Sequence, residues 1–241
     1  MTVTVGSTVE GGAVQDLMLI ELEAPIERWD DPEVRRHLGE IIALKRDGYR
    51  QYYDFPVAPV DTLDYVSTHL LTCRRSSGEL LMAWRVTTCA QTERYGLSFP
   101  PDTYAAQWPQ LGQHLGRARE RAAESGGTLA YCSRWTARPS LRRDRRLFVH
   151  LGELASAQHA AIREHQRIAE SFMSAVRRLH LEGLYARNGF EPLRLGDVDM
   201  EVRVPHLRGE TCLLMHCQET SAWSRQVALR WEELWTKRCV L

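Results

Sequence analysis

Arginines dominate the residues that could do chemistry in this 241-residue chain. Arg138, Arg142, Arg143, Arg145 and Arg146 crowd the stretch RPSLRRDRR, directly before a helical run that begins LFVHLGEL. Guanidinium groups at a helix start suit a phosphate or the acidic face of a protein; the bland alternative is a solvated basic turn. Arg134 lies inside the apolar run GTLAYCSRWTA, and Arg85 inside ELLMAWRVTTC. An arginine in an apolar strand is costly to bury without a partner. Arg134 therefore calls for Asp61, Asp64 or a substrate carboxylate, and Arg85 faces the same choice. On the helix after the basic cluster, His150 and Glu153 are three apart and can share a face as candidate bases, with His159 further along. Tyr53 belongs to the tyrosine-rich loop YRQYYDFPVAPVDTLDY, whose aromatics either line a binding site or close off a core.

Other chemistries lack their residues. The six cysteines form no CxxC pair, and the nine histidines include no HExxH and no His/Cys cluster at ligand spacing. GxSxG and P-loop motifs are missing too. Neither a metal nor a redox cofactor is expected, and Cys132 has no obvious partner base to make it a nucleophile. Apolar residues make up 44% and charged residues 26% of the chain, enough for a full core, while the zero net charge argues against nucleic acid as partner. Nothing approaches a membrane span or a signal peptide, so the reading is a cytoplasmic protein with free thiols.

The elements that must position these residues alternate between strand and helix. Residues 1–16 are small and glycine-rich and read as a flexible tail; 17–241 read as a single domain without a separable linker. LMLIELEAP is a first strand, and Asp31-Pro32 starts a helix that runs to about Tyr49. STHLLTCRR and ELLMAWRVTTC form an antiparallel hairpin around Ser76-Ser77-Gly78. Residues 92–110 read as irregular, and a helix follows from Leu111 to Ser125. Then come the strand GTLAYCSRWTA, the basic turn, a long helix, the strand ESFMSAV and a short helix ending LEGLYARNGF. LRLGDVDMEVRVPHL is mixed, GETCLLMHCQ is a late strand, and SAWSRQVALRWEELWTK is a final amphipathic helix. Its tryptophans Trp223, Trp231 and Trp235 pack on the sheet or against a second subunit, which leaves a homodimer open.

The order of these motifs resembles a known superfamily. GELLMAWRV, Gly78 to Val86, resembles the "GelvG..Rl" hairpin strand of the GNAT N-acyltransferases, and LYARNGF, Leu184 to Phe190, resembles their closing "lYxxxGF" helix end. Within the superfamily the chain is most similar to acyl-homoserine-lactone synthases and N-acyl amino acid synthases. Asp61-Thr62-Leu63-Asp64 resembles their "DxxD" before the hairpin. Arg85-Val86-Thr87-Thr88, followed later by Phe99-Pro100-Pro101, resembles their "RLxPT" region, and Ser133-Arg134-Trp135 resembles their "E-x-SR-F/W" strand. The resemblance spans roughly residues 17 to 200. Two positions depart from it: Tyr131 stands where that strand carries its acid, and the acetyl-CoA pyrophosphate loop Q/R-x-x-G-x-G/A is missing.

The resemblance implies a GNAT-like α/β fold, with a mixed, mostly antiparallel sheet that splays into a V and helices on both faces. It implies an N-acyltransferase of the EC 2.3.1 type. No cofactor is held; the co-substrate is an acyl thioester of phosphopantetheine, carried by acyl carrier protein or CoA, and the acceptor is the amine of a small metabolite. Tyr185 is implied as proton donor to the leaving thiolate, with Tyr131, Ser133 and Arg134 beside it in the catalytic region. Trp135, Thr136, Arg138, Arg142, Arg143, Arg145 and Arg146 are expected on the donor side; Arg85, Asp64, Tyr53 and Glu153 on the acceptor side. The alternatives are an ordinary acetyl-CoA-dependent acetyltransferase and a non-catalytic ligand- or partner-binding relative.

Overall fold

The computed structural model describes residues 16–204 and 207–241, leaving aside the side chains of Arg142, Arg145 and Leu195. Most of the expected tail, residues 1–15, thus lies outside the described residues. Asp16 is anchored: its carboxylate accepts from the Ser76 amide at 2.7 Å and the Ser76 hydroxyl at 2.6 Å.

The first half of the chain runs β1 (Leu17–Leu22), α1 (Pro32–Tyr49), α2 (Leu63–Val66), β2 (Thr68–Arg74), β3 (Leu80–Thr88), α3 (Cys89–Arg94), α4 (Pro100–Ala105) and α5 (Pro109–Glu124). The second half runs β4 (Thr128–Ala137), α6 (Arg145–His165), β5 (Ile168–Val176), α7 (Glu182–Ala186), β6 (Glu191–Pro192), β7 (Arg194–Leu195), β8 (Val198–Asp199), β9 (Glu201–Val204) and β10 (Glu210–Cys217). It ends with α8 (Ala222–Arg230), α9 (Glu232–Thr236) and β11 (Cys239–Val240). Nine strands make one sheet in the order β11-β1-β2-β3-β4-β5-β10-β6, with β9 also on β10. Among the described residues, only β4·β5 and β1·β11 are parallel.

Period-two alternation decides which helix each side chain meets. On β4, Leu129 and Tyr131 join a core with Leu111, Leu115 and Ala118 of α5, whereas Ala130 and Cys132 join one with Ile162 of α6. On β2 and β3, Leu71 and Ala83 pack with Ile41 and Leu44 of α1. Both faces are covered: α1 and α5 on one, α6 with α8 on the other. That is the layered α/β arrangement expected from the sequence, including the mostly antiparallel sheet.

The differences lie in the punctuation. Residues 92–110 are not irregular. Thr88 and Gln91 form a capping box that starts α3, and Pro100-Pro101 occupy the first turn of α4, where a missing amide proton costs nothing. The final helix breaks at Trp231 into α8 and α9, and the last residues form β11 against β1, a strand too short to carry a sequence pattern.

Candidate active site

The parallel pairing of β4 and β5 ends at Cys132 and Met173, although β4 continues to Ala137 and β5 to Val176. Beyond that point β4 stays with β3, and β5 pairs with β10 from Ser171 to Val176. The two strands therefore part, and a notch opens through the sheet. This is the expected V-shaped splay.

A β-bulge sits at the mouth of the notch. Ser133 is opposite Arg85 and Thr136 opposite Ala83, so Arg134 and Trp135 together oppose the single residue Trp84. Arg134 takes a left-handed backbone, φ 62°. Strict alternation would send the Arg134 side chain to the face opposite Ser133. The bulge re-aims it to the α1 face, where its Nη2 donates to Asp61 Oδ2 at 2.7 Å and its Nη1 to the Tyr49 hydroxyl at 2.8 Å.

Arg134 belongs to a buried ionic cluster. Arg85 Nη1 lies 2.5 Å from Asp61 Oδ1 and 2.9 Å from Asp64 Oδ1, and Arg85 Nε donates to the Ser133 hydroxyl at 3.3 Å. Lys45 Nζ donates to Asp64 Oδ1 at 2.5 Å, with both side chains fully buried. Asp64 Oδ2 also accepts the Asp61 amide at 2.9 Å, which fixes the turn ahead of α2. Burial alone would raise the Asp64 carboxyl, but Arg85 and Lys45 overcome it and hold the group well below its ordinary value. Burial pulls the Lys45 ammonium down to about 8, so it stays charged at neutral pH. Burial works against the Arg134 charge as well, yet Tyr49 and Asp61 more than compensate. Within the cluster three cations face two carboxylates, which leaves one positive charge in excess.

Two cavities meet at the notch. On the α1 face a cavity of about 420 Å³ is bounded by Tyr49, Tyr53, Asp61, Arg85, Tyr104 and Tyr131, and deeper in by Val176, Val204, Leu207 and Cys212. On the α6 face a cleft of about 70 Å³ lies among Trp84, Cys132, His159, Met173, Leu184 and Phe190. Ser133, Arg134, Trp135, Ser174 and Tyr185 line both. The Tyr131 and Ser174 hydroxyls are 2.8 Å apart. Burial raises the Tyr131 and Tyr185 phenols well above their ordinary value, so both are proton carriers rather than bases. Burial likewise pushes the Cys132 thiol up to about 12, which removes it as a thiolate at neutral pH.

Of the residues singled out from the sequence, Tyr53, Asp64, Arg85, Tyr131, Ser133, Arg134, Trp135, Thr136 and Tyr185 converge here. Trp135 lines both cavities, whereas Thr136 borders the larger one. Asp61, Cys132 and His159, also noted in the sequence, border the cavities too, whereas Glu153 and the described side chains of the basic turn do not. Glu153 is 3.6 Å from Arg230 and tied to α8. Arg138 donates to the Leu80 carbonyl at 3.0 Å and pairs with Glu79, while Arg143 and Arg146 are exposed. The N-terminus of α6 is capped by Asp144, whose carboxylate accepts the Leu147 amide at 3.0 Å. Arg142 and Arg145 have no described side chain.

Lys45, Tyr49, Tyr104 and Ser174 were missed. Lys45 left a signal: it continues the stripe of Val34, Leu38 and Ile41 on α1, and a lysine on an apolar face demands a carboxylate. Ser174 left none, because its role depends on where β5 leaves β4.

A sheet with one internal parallel pair, parted at a bulged strand and covered on both faces, is the GNAT-like fold expected from the sequence. Solved structures share it. The chain is 15% identical to BjaI, a CoA-dependent acyl-homoserine lactone synthase solved with SAM and isopentyl-CoA; the match covers 93% of this chain and 92% of that one, with a TM-score of 0.51. It is 13% identical to ElaA of Escherichia coli over 83% of this chain and 99% of that one, TM-score 0.50. FeeM, an N-acyl amino acid synthase from uncultured soil microbes, matches at 11% identity over 78% and 87% of the two chains, TM-score 0.46. No family model and no curated protein matches the sequence. Among the described residues, no helix is long and apolar enough to cross a membrane.

Proposed function

We propose that this protein is an N-acyltransferase that moves an acyl group from a phosphopantetheine thioester to the amine of a small metabolite bearing a carboxylate. The observation that carries the reading is the meeting of two unlike cavities at the notch, an apolar cleft on the α6 face and a charged, roomier cavity on the α1 face. The thioester arm enters from the α6 face and presents its carbonyl between β4 and β5. A cavity of about 420 Å³ is within the range of small-ligand sites and has room for an acyl chain beside Val204, Leu207 and Cys212 as well as an acceptor.

The surplus positive charge beside Arg85 and Arg134 favours an acceptor that brings a negative group. The bound amine must lose a proton before it can attack. Attack of the neutral amine forms the C–N bond, and collapse of the tetrahedral intermediate breaks the C–S bond. The bulge takes the backbone of Arg134 and Trp135 out of the regular ladder, and their amides are the candidates to hold the oxyanion. Tyr185, on both cavities, gives its phenolic proton to the departing thiolate and regains one from the amine through solvent. Direct attack is favoured because Cys132 is a buried, protonated thiol.

The donor is either an acyl carrier protein or CoA. Calorimetry of the protein with a holo-carrier and, separately, with CoA distinguishes them. Salt-sensitive carrier binding that Arg143→Glu with Arg146→Glu abolishes assigns the exposed basic turn to a carrier. Tight CoA binding without carrier binding identifies CoA as the donor. Binding of neither rules out the acyl-transfer reading and leaves a non-catalytic protein. The buried free thiols suit a reducing compartment such as the cytoplasm.

A further inference from the structure

At the edge of the sheet, outside the notch, two carboxylates and an imidazole converge. Glu21 on β1 and Glu23 just beyond it are two residues apart, so they project from the same side of the extended chain. His165, the last residue of α6, meets them there. One ligand atom from each of the three lies within 4.8 Å of the other two. The Glu21 side chain is fully buried. Its Oε2 accepts from Arg238 Nε at 2.5 Å, but among the described residues Oε1 is buried without a hydrogen-bond partner and lies 3.8 Å from His165 Nε2. A buried carboxylate oxygen with nothing to accept is expensive, and such atoms are rare in folded proteins unless a ligand completes them. Charge points the same way: two carboxylates crowd here, and among the described residues Arg238 is their one permanently charged partner.

We propose that Glu21, Glu23 and His165 bind a divalent transition-metal ion of the zinc class. Two carboxylates and a neutral imidazole make a donor set that suits Zn²⁺ better than Mg²⁺ or Ca²⁺, which prefer oxygen alone. Three protein ligands leave a fourth position for water on the open side, where Glu23 and His165 reach the surface. Bonds of about 2.0–2.2 Å in a tetrahedral site place ligand atoms about 3.3–3.6 Å apart. Rotation of the two surface side chains supplies that contraction. Gln166 Nε2 donates to Glu23 Oε1 at 3.4 Å and to Thr68 Oγ1 at 2.9 Å, which orients Glu23 from behind. The ion would clasp β1 to the end of α6. Through Arg238, stacked 4.0 Å over the Trp235 ring, it would also hold the segment that leads into β11. None of the three ligands lines the cavities at the notch, so this site stands apart from acyl transfer.

The test uses the full chain, dialysed against a chelator and titrated with Zn²⁺ by calorimetry, with thermal unfolding measured in parallel. Expected is saturable Zn²⁺ binding that raises the unfolding midpoint, with Mg²⁺ unable to replace it. Glu23→Gln combined with His165→Asn should weaken binding by about tenfold or more. Both positions reach the surface, so the metal-free double variant should keep its fold by circular dichroism; should it not, Glu23→Gln alone must still lower the affinity. Cys239, exposed on β11 beside the site, is the rival ligand, and Cys239→Ser should leave the affinity unchanged. The assignment fails if Zn²⁺ produces neither heat nor a midpoint shift. It fails equally if the carboxylate and imidazole variants bind like the parent, or if Cys239→Ser alone abolishes binding.

Discussion

The two sides of the notch differ in one respect: an ionic cluster borders the α1 face, and among the described residues none borders the α6 face beyond the shared Arg134. On the α1 face, Lys45, Asp61, Asp64, Arg85 and Arg134 form a continuous ionic wall, held by contacts between 2.5 and 2.9 Å. On the α6 face, Trp84, Cys132, Met173, Leu184 and Phe190 give a mostly apolar cleft, with His159, Ser174 and Asn188 as polar points on its wall. Burying charges at this cost demands close partners, which Asp61 and Asp64 supply here. The proposed placement, a polar acceptor on one side and a thioester arm on the other, rests on that difference.

Breaking the ionic wall should have the largest effect. Asp64→Asn leaves Lys45 and Arg85, both buried, with one fewer carboxylate. A stability loss of about 3–5 kcal/mol is expected in urea unfolding. A loss under about 1 kcal/mol would mean the cluster is wetter than its burial implies.

Acid should weaken both sides. Burial holds the imidazoles of His69 and His216 down at about 4 and that of His159 at about 3. In the unfolded chain they titrate near 6.5, so between that value and about 4 the unfolded state binds more protons than the folded one. Their stabilisation is complete above pH 6.5 and is lost as the pH falls towards 4, by up to about 1.4 kcal/mol per pH unit for each group. Unfolding free energies measured from pH 7 to pH 4 should fall steadily; a flat profile would show these imidazoles to be solvated.

Arg134→Lys sharpens the comparison by keeping charge and discarding the fork. One ammonium cannot serve Asp61 and the Tyr49 hydroxyl together, so kcat/KM should drop about 100-fold with a smaller change in stability. Tyr185→Phe, on the wall common to both cavities, should lower kcat about tenfold and leave donor affinity unaltered in calorimetry, because a thiolate needs only modest help to leave. Unchanged kcat would take Tyr185 out of the mechanism.

Much of this was legible in the sequence. The strands β1 to β5, the helix α1 and the late strand β10 follow from apolar periodicity and capping residues such as Asp31. The need of Arg85 and Arg134 for partners at Asp61 and Asp64 follows from the price of burying an arginine. Other features were not legible. The left-handed Arg134 is a non-glycine in a conformation that sequence does not announce, and without it alternation points the side chain to the wrong face. The basic turn suggested a phosphate or carrier-protein site; Asp144 caps the α6 N-terminus and Arg138 turns back to the hairpin, while Arg143 and Arg146 are exposed. Charge density alone could not say which way those arginines face. Glu21, Glu23 and His165 meet only because α6 ends beside β1, a juxtaposition no local spacing carries.

The most direct measurement is turnover. The purified protein is incubated with acyl-CoA or acyl-carrier thioesters and a panel of amines that bear a carboxylate, alongside the same amines without it. Free thiol and amide mass are followed together. Expected are amide and thiol in equal amounts, with the decarboxylated amines slower by about tenfold, the loss typical of one charged contact. No amide from any donor would contradict acyl transfer; equal rates with and without the carboxylate would contradict the role given to the ionic wall.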